Sequence, residues 1–197
     1  MRKLLLTMTL ALLLGVETAP AGPFEDGSAA YQRGDYAEAL KWYRLSAEQG
    51  NAGAQTNLGV MYDNGQGVGQ DKAEAVKWYR LAAAQGSAEA QYNLGEMYAE
   101  GQGVAQDYGE ALTWYRQSAA RGNADAQVNL GEMYVEGQGV AKDLVRAHMW
   151  FNLGGAAGAS DGGQDRILIE AVMTPKQIAE ANKLARECQQ RNFRDCV

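Results

Sequence analysis

A block of 36 residues recurs along this chain, and an internal period of that length restricts the fold more than any single residue does. Trp42-Tyr43, Trp78-Tyr79, Trp114-Tyr115 and Trp150-Phe151 are spaced by it, as are Asp35, Asp71, Asp107 and Asp143. Asn57-Leu58-Gly59 returns as Asn93-Leu94-Gly95 and Asn129-Leu130-Gly131, each followed by a Met-Tyr pair at 61–62, 97–98 and 133–134. Each unit is one supersecondary element that cannot bury its apolar face alone, so the units must stack.

Each unit reads as two helices. The first starts after Asn51, Ser87 or Asn123, whose side chains can accept from the free N–H groups of a helix start, and stops at Gly65, Gly101 or Gly137. The second starts at Asp71 or Asp107, with Glu74 or Glu110 three residues on completing a reciprocal capping pair; Asp35 and Glu38 repeat this, whereas Asp143 is followed by Arg146. Gly50, Gly86 and Gly122 end the second helices. Ala54, Leu58, Met61 and Tyr62 share one face of the first helix, and Ala75, Trp78, Tyr79 and Ala82 one face of the second. These stripes recur at equivalent positions, which makes them packing surfaces, and the expected fold is an all-α solenoid of helix pairs.

The run Ala-Gln-x-Asn-Leu-Gly-x-Met-Tyr, then Gly-x-Gly-Val, Asp, Ala and Trp-Tyr, resembles the Sel1-like repeats, relatives of the tetratricopeptide repeat with a longer inter-helix loop. The resemblance covers residues 28 to about 155. The first unit departs from it, because Ala30-Tyr31-Gln32-Arg33-Gly34-Asp35-Tyr36 is five residues shorter and looks like an ordinary tetratricopeptide turn. The layout that follows is a helix pair over 22–50, Sel1-like repeats over 51–86, 87–122 and 123–155, and a degenerate repeat with a capping helix over 156–197. Ile167 to Met173 reads as the degenerate helix; Thr174-Pro175-Lys176-Gln177 opens the last one, whose apolar side is Ile178, Ala181, Leu184, Ala185 and Cys188.

The resemblance implies a right-handed α-α superhelix whose first helices line a concave groove, and a function in holding another protein there. Opposite the core stripe of those helices lie Gly53, Thr56, Asn57, Val60 and Asp63, then Glu89, Tyr92, Asn93, Glu96 and Ala99, then Asp125, Val128, Asn129, Glu132 and Val135. Asn57, Asn93 and Asn129 look like the asparagines that hold an extended peptide backbone in such grooves. Flanked by Glu89, Tyr92, Glu96, Asp125 and Glu132, they suit a protein or peptide partner with a basic segment. The competing reading is that the asparagines bond only between repeats and the carboxylates are a solvated face.

Arg2 and Lys3, the apolar run Leu4 to Leu14 and Ala19-Pro20-Ala21 have the order of a secretory signal peptide over 1–21. The apolar run falls well short of the roughly 20 residues of a spanning helix, so a periplasmic or secreted chain with no integral membrane span in its mature part is expected. The formal net charge of −6 becomes one unit more negative when that segment is removed, which speaks against nucleic acid as a partner. In an exporting compartment Cys188 and Cys196 are expected to pair, provided the last helix ends near Gln190 and the chain folds back at Asn192-Phe193.

Little in the chain carries chemistry. His148 is the only histidine and occupies a packing position, equivalent to Leu40, Val76 and Leu112, with no partner apparent. Metal-ligand spacing is lacking, no cofactor is implied, and the Gly-Gln-Gly segments at 65–67, 101–103 and 137–139 join two helices, whereas phosphate loops follow a strand. Some cysteine-rich Sel1-like proteins are penicillin-binding or β-lactamase proteins, so binding of cell wall or β-lactam is one alternative. Yet Ser28, Ser46, Ser87, Ser118 and Ser160 all lack the lysine three residues later that such chemistry uses. A structural scaffold in an envelope polysaccharide-export or secretion complex is the other. No enzymatic activity is expected.

Overall fold

The structure, a computed structural model, describes residues 22–193 and 196; the expected signal segment lies outside the described residues. Ten helices follow in order: α1 Pro23–Gln32, α2 Tyr36–Glu48, α3 Ala52–Asn64, α4 Lys72–Ala84, α5 Ala88–Glu100, α6 Tyr108–Ala119, α7 Ala124–Glu136, α8 Leu144–Ala156, α9 Gly162–Glu170 and α10 Pro175–Gln190. Each packs chiefly on its neighbours in sequence, and α10 returns to α8. The apolar interior accordingly forms serial clusters rather than one centre, around Tyr43 and Leu58, around Tyr79 and Leu94, and around Tyr115, Leu130 and Phe151. This is an all-α solenoid of paired helices, stabilised unit by unit and at each neighbour interface.

Local chemistry sets the helix ends. Asn51, Ser87 and Asn123 accept from the backbone N–H three residues on, and Gly65, Gly101 and Gly137 close the first helices with φ near +70°. Asp71 and Asp107 cap the second helices in the same way, but the reciprocal half of the expected pair is not made. The backbone N–H groups of Asp71, Asp107 and Asp143 instead donate to the carbonyls of Tyr62, Tyr98 and Tyr134, which ties each second helix to the first helix of its own unit. Glu74 is released to pair with Lys77. Among the described residues the full capping box forms only at Thr174 and Gln177.

Three devices recur from unit to unit. Gly59, Gly95 and Gly131 lie flat against the rings of Tyr79, Tyr115 and Phe151, so the paired helices approach more closely than a Cβ would permit. Gln55, Gln91 and Gln127, all buried, donate from Nε2 to the carbonyls of Ala47, Ala83 and Ala119 at the end of the preceding unit, at 3.1, 3.1 and 3.2 Å. Arg44, Arg80 and Arg116 donate to the hydroxyls of Tyr62, Tyr98 and Tyr134 in the next unit, the last of these tyrosines being fully buried.

After Leu153 the sequence loses its pattern for a steric reason. A Cβ on Gly162 would sit 2.7 Å from the Gly155 nitrogen and 2.9 Å from the Phe151 carbonyl, so α8 and α9 cross nearly backbone to backbone. The degenerate helix therefore begins at Gly162, five residues before the expected Ile167, and ends at Glu170, before Met173. Ala181, Ala185 and Cys188 of α10 are buried, and the chain turns back through Asn192 and Phe193 at φ of 51° and 60°. Cys188 and Cys196 form a disulfide there.

Candidate functional site

The surface opposite the core stripe of α3, α5 and α7 holds the candidate residues, and the structure divides them. Thr56 and Val128 are core: Thr56 shares a hydrogen bond with Ser87 of the next unit, and Val128 packs near Gly154 and Gly162. Their alternation with polar neighbours concealed this, since a solenoid helix touches both its own partner and the next unit. Glu89, Asp125 and Glu132 are exposed, whereas Asn57, Asn93, Asn129, Tyr92 and Glu96 are half-buried.

Tyr92 and Glu96 belong together. One helical turn apart on α5, they are joined by the Tyr92 hydroxyl donating to Glu96 Oε1 at 2.8 Å, and the Tyr92 ring lies 6.0 Å from that of Tyr115. Asn93 and Asn129 each hydrogen-bond a tyrosine hydroxyl of the preceding second helix, Tyr79 and Tyr115 respectively. Burial raises both phenols far above their ordinary range; nearby carboxylates raise them further, while the asparagine bonds act the other way. In the first unit the Tyr43 hydroxyl donates to Ser28 instead, at 3.2 Å. These two asparagines thus have a role between repeats, and each carries further donor and acceptor capacity on its amide.

The carboxylates act as one field. Glu96 is held above its usual range chiefly by desolvation, against the pull of the Tyr92 bond, with Glu100, Asp63 and Asp125 pushing it further up. Glu132 is raised by desolvation and by Asp165, Glu136 and Asp161, and Asp165 by desolvation and Asp161. Acidic groups on α3, α5, α7 and α9 therefore share one surface and repel one another across it. Among the described residues Asp63 pairs with Lys72, while no ion pair neutralises Glu96, Glu132 or Asp165.

His148 does have a partner that spacing could not reveal. It is fully buried, with Nε2 2.7 Å from Glu170 Oε1 across the α8–α9 contact, and Glu170 also lies 3.9 Å from Arg166. The pair joins the last repeat to the degenerate helix. Among the described residues no group of three or more His, Cys, Asp or Glu could hold a metal ion, and no helix is long and apolar enough to cross a membrane.

Comparison with known proteins agrees with this architecture. The Sel1 repeat model matches residues 24–51, 52–87, 88–123 and 124–158, and so includes the first pair with its short turn. A Sel1 repeat protein from Oxalobacter formigenes superposes with a TM-score of 0.72 at 31% identity, covering 84% of this chain and 73% of that one. A protective antigen of uropathogenic Escherichia coli, c5321, gives 0.62 at 30% identity, covering 88% of this chain and 46% of its own. The Helicobacter pylori cysteine rich protein B, at 22% identity and a TM-score of 0.53 over 66% of this chain and 93% of its own, shares the fold alone. An exopolysaccharide production negative regulator of Rhizobium leguminosarum bv. viciae is 42% identical over 55 residues, 28% of this chain, which spans only 21% of that regulator's length. With four consecutive units matched and the helix pairs stacked accordingly, the chain belongs to the Sel1 repeat family, whose solenoids serve as scaffolds for protein interaction.

Proposed function

We propose that this chain is a scaffold of an envelope complex outside the cytoplasm, and that it holds a partner protein by a Lys- or Arg-bearing segment laid along the concave first-helix face. The observation that carries the reading is the field of carboxylates shared by α5, α7 and α9, in which Glu96, Glu132 and Asp165 form no ion pair among the described residues. A groove of one sign steers an oppositely charged partner and rejects like-charged ones. The Cys188–Cys196 bond and the signal-like segment at 1–21 support an oxidising, exported location. Similarity to the exopolysaccharide regulator favours polysaccharide production as the process served. The β-lactam alternative has only the family resemblance behind it, and fold alone does not fix function.

The test pairs two double variants with a partner captured from the envelope of the source organism. Glu89→Lys with Glu96→Lys is expected to weaken binding on the order of 10-fold and to flatten its salt dependence, with helicity unchanged. Asn93→Ala with Asn129→Ala separates a direct contact from the inter-repeat bonds, because loss of the Tyr79 and Tyr115 partners alone lowers the melting temperature without changing affinity. Unchanged binding in both variants would place the partner on another face.

A further inference from the structure

Repeat logic does not account for one surface near the C-terminal end of the solenoid. Ile167 and Leu168 of α9, and Val172 just after it, are 60%, 69% and 72% exposed. Single exposed aliphatics are ordinary, but three within six residues beside a cleft form a patch. The cleft lies between α7 and α9 and encloses about 350 Å³, in the range of pockets that take a ligand group. Val135, Phe151 and Leu168 give it apolar walls, and Glu132, Glu136 and Asp165 stand around it. None of the ion pairs among the described residues uses these three carboxylates, and Arg166 is turned to Glu170 instead.

We propose that the α7–α9 cleft is an anchor site for an amphipathic basic segment of a partner protein, an aliphatic or aromatic side chain entering it while flanking Lys or Arg meet Glu132, Glu136 and Asp165. The inference rests on the scaffold reading above and names where on that face the partner is held and by what chemistry. Charge complementarity selects this occupant. A second copy docking by two-fold symmetry would bring the same carboxylates against themselves. An anionic lipid surface meets the same repulsion. A basic amphipathic segment satisfies both halves of the site, since its apolar face covers Leu168 and its cations replace the water lost by the carboxylates.

The probe is a fluorescein-labelled synthetic peptide forming an amphipathic helix with Leu and Phe on one face and Lys on the other, titrated into the full chain with its disulfide intact. Saturable binding that weakens with salt is expected, and no binding by the same peptide with Glu in place of Lys. Leu168→Ser changes a side chain already mostly in solvent and should weaken binding at least about fivefold with helicity intact. Glu136→Gln with Asp165→Asn should weaken it and reduce its salt slope, a second measurement that needs no apolar substitution. If Leu168→Ser and the carboxylate variant both bind as the parent does, the cleft is not the anchor. In that case Glu96→Lys, on α5, decides the broader reading: weakened binding there leaves the groove standing, and unchanged binding removes both. Self-association in sedimentation that Leu168→Ser abolishes would assign the cleft to a second copy and overturn the proposal.

Discussion

At the scale of single residues, some glycines in this chain are required by close packing and others are not, and substitution tells them apart. Gly95 sits mid-helix in α5, where alanine is worth about 1 kcal/mol more in helix propensity. Its Cβ, however, would lie 2.5 Å from the ring of Tyr115, itself only 3% exposed. Forcing a methyl into a packed interior costs about 1–3 kcal/mol, so Gly95→Ala is expected to be destabilising on balance and to lower the urea midpoint. Gly69 faces nothing within 4 Å and has no left-handed φ, and Ala105 and Ala141 occupy its equivalent positions. Gly69→Ala should therefore be neutral or stabilising by about 0.4–1 kcal/mol in the same denaturation experiment. Periodicity marked Gly59, Gly95 and Gly131 as recurrent without indicating why, because the reason is a ring contributed by the second helix. The same holds for Gln55, Gln91 and Gln127, whose buried bonds to the preceding unit look in sequence like three surface amides.

Among the elements, α10 carries a covalent link, which holds the tail after it. Its apolar side would lie on α8 in any case, with Ala181, Ala185 and Cys188 buried. The bond to Cys196 closes a loop with a sequence separation of 8 and anchors the chain beyond the reversal at Asn192 and Phe193. In the chain-entropy account, closure of so short a loop is worth about 2–3 kcal/mol. Reductant, or Cys196→Ser, is expected to lower the urea midpoint of the C-terminal unit by a corresponding amount, and alkylation of the denatured, unreduced chain should label no thiol. Two labelled thiols would remove the covalent link from this account. Cap chemistry made the bounds of α3, α5, α7 and α10 legible in advance, whereas the start of α9 was not, since Asp161 makes no side-chain cap and Gly162 is set by its contact with α8.

Over the whole molecule, the crowding of carboxylates links stability to pH in a defined direction. Glu96, Glu132 and Asp165 have folded-state pKa values above their ordinary ones, so their charged forms are disfavoured in the fold. Stability is fully retained below the ordinary carboxylate values and is lost as pH rises through the raised folded ones. In low salt, these groups should make the melting temperature higher near pH 5 than near pH 7.5, and added salt at pH 7.5 should recover part of the difference. Glu96→Gln with Glu132→Gln should shrink that pH difference, by no more than about 1 kcal/mol since both groups reach solvent. A melting temperature that rises from pH 5 to pH 7.5 and is unaffected by these substitutions would contradict the shared acidic field.

The 36-residue period, the caps and the apolar stripes are local or nearest-neighbour properties, and they determined the helix pairs, their bounds in the regular repeats and the solenoid itself. Cys188 and Cys196 were legible for the same reason, being close in sequence around a predicted helix end. Only the tertiary structure decided which polar residues were buried between units, that Asn93 and Asn129 meet Tyr79 and Tyr115, that His148 meets Glu170, and that an apolar cleft opens between α7 and α9. Each of these depends on side chains brought together from separate helices, and the distance and angle between helices are set by close packing of Gly, Ala and aromatic side chains at the interfaces, which a pattern along one strand of text does not specify.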